Sequence, residues 1–272
     1  MSAGISRGGL IVDGTQRADR IDIVDNGRGS IVVTINRVKT TFDSARIKRI
    51  QVRGLGGNDK IALDGAFSVP VVLNAGNGHD IVYGSEQSES LYGGTGNDRI
   101  YGGGGHDYLS GDDGCDLLAG EDGDDTLLGG AGDDDLYGDD GNDDLYGQWD
   151  EDYMEGGWGD DLILGGDHDD TLCGDSGNDT LEGEGGEDAL YGDDGDDELY
   201  GGDDDDYLTG GRDYDYMDGG LDDDLIEDFS GFDTLLGGAG DDTLNASDHR
   251  SGDVLDGGSG DDEVYSDHGD HD

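Results

Sequence analysis

Gly93-Gly94-Thr95-Gly96-Asn97-Asp98-Arg99-Ile100-Tyr101 and Gly129-Gly130-Ala131-Gly132-Asp133-Asp134-Asp135-Leu136-Tyr137 are two copies of one nine-residue pattern, G-G-x-G-x-D-x-U-x with U aliphatic. From Ala75 to Asn245 the pattern runs nineteen times in succession, 171 residues without an insertion or deletion. Position six is Asp in eighteen copies and Glu89 in one, and position eight is aliphatic or Met in all nineteen. A register this strict marks a repeat architecture, in which each unit buries its apolar residue only by stacking on its neighbours.

Composition narrows the class further. Of 272 residues, 57 are Gly, one is Pro and 31% are hydrophobic, which excludes an ordinary globular core. The formal net charge is −56 and is unevenly placed: residues 1–74 carry 11 basic and 7 acidic side chains, and the remainder carries 3 and 63. An acidic, weakly hydrophobic chain without periodicity would read as disordered. The aliphatic residue at every ninth position argues otherwise. Nucleic acid and anionic membrane share the chain's sign of charge and are disfavoured as partners, which leaves cations. No run of 18 apolar residues is present to span a membrane. Met1-Ser2-Ala3-Gly4-Ile5 does not open a basic and then apolar secretion signal.

The nonapeptide resembles the RTX family, the repeats-in-toxin or haemolysin-type calcium-binding repeats, over at least 171 residues. The resemblance implies an all-β fold, a parallel β-roll or β-solenoid with two repeats per coil. In it the first six residues of each repeat form a calcium-binding turn and the last three a short strand. It also implies that each ion lies between loops of neighbouring coils, so that carboxylates eighteen residues apart share one. Carried over to this chain, the ligands on one side are Asp80, Asp98, Asp116, Asp134, Asp152, Asp170, Asp188, Asp206, Asp224 and Asp242. On the other side they are Asp107, Asp125, Asp143, Asp161, Asp179, Asp197, Asp215 and Asp233, with Glu89 at the head. Loop carbonyls are expected from Gly94, Gly96, Gly103, Gly105, Gly130, Gly132, Gly157 and Gly159. Gaps between successive carboxylates set an upper bound of about 17 interior sites.

The residue types suit that chemistry. Calcium takes six to eight oxygen ligands, which carboxylates and carbonyls supply. Glycine at positions one, two and four is expected to let the chain turn through positive φ. Position four departs from glycine at Gln87, Asp150, His168, Asp204, Asp213 and Asp222, and Asp228-Phe229-Ser230 replaces the usual glycine pair. Asp tolerates left-handed geometry better than most residues, so Gln87 with Glu89 marks the weakest expected site. With one aliphatic residue per nine and stacked carboxylates, the chain is expected to need calcium to fold.

Residues 1–74 hold clusters of β-formers at Leu10–Val12, Ile21–Val24, Ile31–Ile35, Ile47–Val52 and Val69–Leu73, with degenerate nonapeptides at Gly14–Asp22 and Gly54–Ala62. They are expected to form an irregular β cap over one end of the roll of residues 75–265; a separate small β-domain is the alternative. Arg17, Arg37, Lys48, Arg49 and Arg53 read as a solvated face. After Asn245 the register slips by two residues before one more repeat, Gly257–Tyr265, and residues 266–272 form an acidic tail whose His268 and His271 read as bland surface. Cys115 and Cys173 read as unpaired thiols, since three coils separate them.

No H-E-x-x-H occurs, and the chain is not expected to be an enzyme. The expected function is calcium binding with calcium-induced folding in a secreted monomer, exported by a type I-like route although no C-terminal secretion region is visible. Alternatives are an adhesive, matrix or carbohydrate-binding module on the same roll, or an accessory module of a larger secreted enzyme or toxin. A cell-surface, polysaccharide or matrix partner would meet the outer strand faces, where position nine places Tyr83, Tyr92, Tyr101, Tyr137, Tyr146, Tyr191 and Tyr200.

Overall fold

The computed structural model describes residues 1–228, 230–247 and 252–266; Phe229, His268 and His271 lie outside them. The chain divides into two compact units, Met1–Asp135 and Leu136–Asp272. In both, alternate nonapeptides feed alternate sheets, so residues eighteen apart become neighbours in one parallel sheet.

The first unit begins with β1 (Ser2–Ser6), β2 (Gly9–Thr15), β3 (Arg20–Asp25), β4 (Ser30–Ile35), β5 (Val38–Asp43), β6 (Arg49–Gly56), β7 (Lys60–Asp64), β8 (Val71–Asn77) and β9 (Ile81–Tyr83). One sheet is ordered β1-β2-β6-β8, then Glu89–Thr95, Tyr108–Asp113 and Thr126–Ala131. The other is ordered β5-β4-β3-β7-β9, then Arg99–Gly104 and Leu117–Asp122. β2 and β3 pair in parallel with β6 and β7, and those with β8 and β9, so residues 1–74 continue the sheets of the repeats. Antiparallel β1 on one sheet, and β4 and β5 on the other, lie beyond them. In β2, β3, β6 and β7 buried residues alternate with more exposed ones, and Leu10, Val12, Ile21, Ile23, Ile50, Val52 and Ile61 are almost fully enclosed. Each of them brings several apolar side chains to the interior, whereas a nonapeptide brings one.

In the second unit one sheet runs Asp144–Trp149, Leu162–Asp167, Thr180–Gly185, Glu198–Asp203, Tyr216–Leu221, Thr234–Ala239 and Val254–Asp256. The other includes Tyr153–Trp158, Thr171–Ser176, Ala189–Asp194, Tyr207–Arg212, Leu225–Glu227, Thr243–Asn245 and Glu263–Tyr265. Pairing is parallel with Leu145 opposite Ile163 and Met154 opposite Leu172, so position-eight side chains stack in columns. Each is fully buried, in both units. At roughly 1.5–3 kcal/mol per enclosed aliphatic side chain these columns are the apolar core of the repeats.

The strands are longer than the three residues that the resemblance implies. Arg99–Gly104 covers positions seven to nine of one repeat and one to three of the next, and it pairs again at Gly103 opposite Glu121 after skipping position one. The turn proper is therefore positions four to six. Glycine at positions two and three does not prevent extended pairing, because the neighbouring coils supply the ladder partners.

Candidate metal centres in two carboxylate ladders

Every described position-six carboxylate is buried, and one of its oxygens has a fixed task. The backbone N–H of Asp80 donates to Oδ1 of Asp98 at 2.6 Å, that of Asp98 to Asp116 at 2.6 Å, and that of Asp116 to Asp134 at 2.7 Å. On the other side of the first unit the N–H of Glu89 donates to Asp107 and that of Asp107 to Asp125. In the second unit one ladder links Asp143, Asp161, Asp179, Asp197, Asp215 and Asp233. A second links Asp152, Asp170, Asp188, Asp206, Asp224 and Asp242. The carboxylates expected to share ions thus form continuous stacks within each unit.

The second oxygen is the informative one. Oδ2 of Asp80, Asp98, Asp107 and Asp116, and of Asp161, Asp170, Asp179, Asp188, Asp197, Asp206, Asp215, Asp224 and Asp242, is buried and has no hydrogen-bond partner. A buried carboxylate oxygen without a donor is costly unless a cation meets it. Except for Asp80, whose repeat opens on Ala75, each lies over the position-one glycine of its own repeat: a Cβ on Gly111 would fall 2.3 Å from Oδ2 of Asp116 and 2.6 Å from the carbonyl oxygen of Gly129. This corrects the expected reason for glycine at position one. Gly93, Gly102 and Gly111 are not in the left-handed region; their missing Cβ makes room for the carboxylate and the next coil's carbonyl.

Positive φ belongs to positions two and four. All eight glycines expected to offer carbonyls, Gly94, Gly96, Gly103, Gly105, Gly130, Gly132, Gly157 and Gly159, lie between +106° and +139°. The carbonyl oxygens of Gly96, Gly105 and Gly159 are turned along the coil axis onto Gly114, Gly123 and Gly177, where a Cβ would collide with them. Asp150, His168, Asp204, Asp213 and Asp222 adopt the same left-handed geometry at position four, with φ of +76°, +88°, +76°, +74° and +69°. Gln87 is not among the positive-φ residues. In that repeat Glu89, one methylene longer, turns back on its own loop, where Ser85 N–H and Ser85 Oγ donate to it at 2.9 and 2.8 Å.

Burial pushes the ladder carboxyls far above the usual range, and for most of them neighbouring carboxylates push the same way. Asp116, Asp161 and Asp197 rise to about 6, Asp98, Asp107, Asp188 and Asp224 to about 7, and Asp170, Asp179, Asp206 and Asp215 to about 8. Asp80, Glu89, Asp125 and Asp242 are raised by the same desolvation. After residue 74 the sequence holds three arginines, Arg99, Arg212 and Arg250, no lysine, and six histidines, against 63 acidic residues. Protein side chains cannot neutralise these stacks. A hard, oxygen-seeking divalent cation fits the donor set.

Four ladder members were not among the expected ligands. Asp19 donates its N–H to Asp59 Oδ1 at 2.7 Å, and Asp59 donates to Asp80 at 2.6 Å, so both degenerate repeats extend the ladder. Oδ2 of Asp59 is also without a hydrogen-bond partner, and burial lifts this carboxyl to about 7. Asp19 instead accepts from Thr15 N–H and Asn36 Nδ2, so that end of the stack is met by the protein's own donors. At the other end Asp233 and Asp242 donate to Asp253 and Asp262, twenty residues on because of the slip. Position five carries a further ladder of opposite polarity. Its side chain accepts the N–H of position five in the following coil, as from Asn97 to His79, Asn178 to Asp160, Asp196 to Asn178 and Asp241 to Asp223.

The outer faces carry paired rings. Tyr83 stacks on Tyr101 with centroids 5.1 Å apart, and Tyr92, Tyr191 and Tyr200 tilt against Tyr108, Tyr207 and Tyr216 of the next coil. Arg53 pairs with Asp13 at 2.6 Å, and Cys115 and Cys173 are free thiols, the first exposed and the second half-buried.

Comparison with known families matches this chain to the RTX calcium-binding nonapeptide repeat, in overlapping copies that cover residues 71–248 and 251–270. A search of curated proteins returned no match.

Proposed function

Because the chain belongs to the RTX calcium-binding repeat family, we propose that its carboxylate ladders hold calcium ions between successive coils and that calcium drives the roll to fold. The observation that carries this reading is the row of buried Oδ2 atoms without donors, several of them packed with a carbonyl of the next coil over one glycine, as at Gly93, Gly111, Gly165 and Gly192. The ligands are the position-six aspartates from Asp80 to Asp242, with carbonyls of the left-handed loop residues. In this reading Oδ1 holds the next backbone in register and Oδ2 faces the ion. Bound there, calcium supplies positive charge that cancels carboxylate repulsion. Without it, ionised stacks repel across gaps of about 5 Å by roughly 1 kcal/mol per pair in water and more in a buried site, so ion binding is coupled to folding.

Residues 1–74 act as the cap of one end, since antiparallel β1, β4 and β5 cover edges that a bare roll would leave open. Such a switch suits a chain that stays unfolded in calcium-poor cytosol and folds outside the cell. Far-UV circular dichroism during calcium titration from chelator to about 10 mM, the range of extracellular modules, tests the reading, with magnesium as control. A cooperative, calcium-selective gain of β signal is expected. A full β spectrum in chelator at neutral pH would overturn calcium-driven folding.

A further inference from the structure

One coil departs from the ladder chemistry in a way that the repeat pattern does not contain. In the repeat that begins at residue 228, the position-one glycine is replaced by Asp228, and this side chain is fully buried. Asp215, Asp228 and Asp233 each offer an oxygen, and no two of the three lie more than 4.8 Å apart. Calcium–oxygen distances are about 2.3–2.6 Å, so oxygens around one calcium are separated by up to about 5 Å. All three carboxylates can therefore reach a single ion. Elsewhere each gap offers the carboxylates of two successive position-six residues.

The cluster also contains a buried oxygen that no donor meets. Oδ2 of Asp215 is buried and has no hydrogen-bond partner, although Asp215 is only 3% exposed. It lies over Gly210, 2.4 Å from where a Cβ would sit, and Asp228 Oδ2 accepts the N–H of the adjoining Gly211 at 3.0 Å. The two carboxylates thus converge on Gly210–Gly211. Asp228 Oδ1 accepts the N–H of Ser230 at 2.9 Å, and a carboxylate has about four acceptor sites. Arg212 does not neutralise the cluster, because its guanidinium is engaged by Asp194 at 2.6 Å on the exposed surface. Residues next to the cluster in sequence, Arg212–Tyr214 and Ser230–Phe232, line an open groove of about 310 Å³.

We propose that Asp215, Asp228 and Asp233 form a three-carboxylate calcium site that holds its ion more tightly than the other gaps and is the first to fill. The proposal rests on the calcium reading above. Affinity in oxygen-ligand sites rises with the count of charged ligands, and an advantage of at least about tenfold is expected over the remaining sites.

The test is bound calcium per full-length chain, counted after equilibrium dialysis against buffers of stepped free calcium. The chains compared are the wild type, Asp228→Gly, Asp228→Asn and Asp203→Asn, the last removing an exposed carboxylate as a charge control. The expected result is one ion retained by the wild type and by Asp203→Asn at free calcium about tenfold below the midpoint for the rest. Both Asp228 variants should lose that ion and keep the later uptake. Thermal melting in saturating calcium checks that the variants fold, and the isosteric Asn keeps the test valid if Gly loosens the loop. Retention of the early ion in both Asp228 variants, or its loss in Asp203→Asn as well, would overturn the site while leaving calcium binding intact. No uptake by the wild type would overturn the underlying calcium reading.

Discussion

Protons should be able to replace calcium. Twelve ladder carboxyls, Asp59, Asp98, Asp107, Asp116, Asp161, Asp170, Asp179, Asp188, Asp197, Asp206, Asp215 and Asp224, stand at about 6 to 8 in the metal-free roll. In the unfolded chain they return to roughly 3.9. Because the folded values are the higher ones, protonation favours the roll. That contribution is fully present below about pH 4 and is lost as pH rises through the 6 to 8 window. Near pH 5.5 the roll would bind on the order of ten more protons than the unfolded chain, at about 1.4 kcal/mol per proton per pH unit. Acidification in chelator should therefore fold the chain within a few tenths of a pH unit, and circular dichroism should return a proton Hill slope far above one. A chain that stays unfolded in chelator from pH 8 to 4.5, or gains structure with a slope near one, would refute buried carboxylate charge as the obstacle that calcium removes.

Other substitutions separate the parts of the design. Gly111→Ala places a methyl 2.3 Å from Asp116 Oδ2 and should cost roughly 1–3 kcal/mol in calcium-loaded urea denaturation, whereas Gly185→Ala, with nothing within 4 Å, should leave the midpoint unchanged. Leu145→Ala, in a fully buried column, should lower stability by about 2–5 kcal/mol in the same assay without changing the number of ions counted by dialysis. Asp170→Asn keeps an acceptor for the N–H of Asp152, now at 2.8 Å, and should lose calcium affinity alone. Asp170→Ala should lose a further ~1–3 kcal/mol in saturating calcium, because that donor is buried.

The repeat made the core and most of the candidate ligands legible. Position eight is aliphatic or Met and position six acidic in all nineteen copies, and the fold stacks both at the same eighteen-residue interval. Asp19 was hidden because β4 and β5 intervene before its partner Asp59, forty residues on, and Asp253 because two residues enter the register ahead of it. Position five looked like generic polar loop, since His79, Asn142, Asp160 and Asp223 share no chemistry except a short side chain that can accept a hydrogen bond. Glycine at position one was assigned the wrong reason. Sequence cannot distinguish a residue that needs positive φ from one that needs an absent Cβ, and only the carboxylate packed over Gly111 separates the two.

Because the position-five and position-six ladders both step by eighteen residues, the roll has a quantum of length. Duplication or loss of two adjacent nonapeptides through unequal recombination would return every downstream residue to its former sheet, its former column and its former hydrogen-bond partner type. A change of one nonapeptide would move everything after it to the opposite face, and the aromatic pairs with it. Copy number along such a gene can therefore drift most freely in pairs, and the length of the protein becomes a heritable quantity that varies without redesign of any single residue.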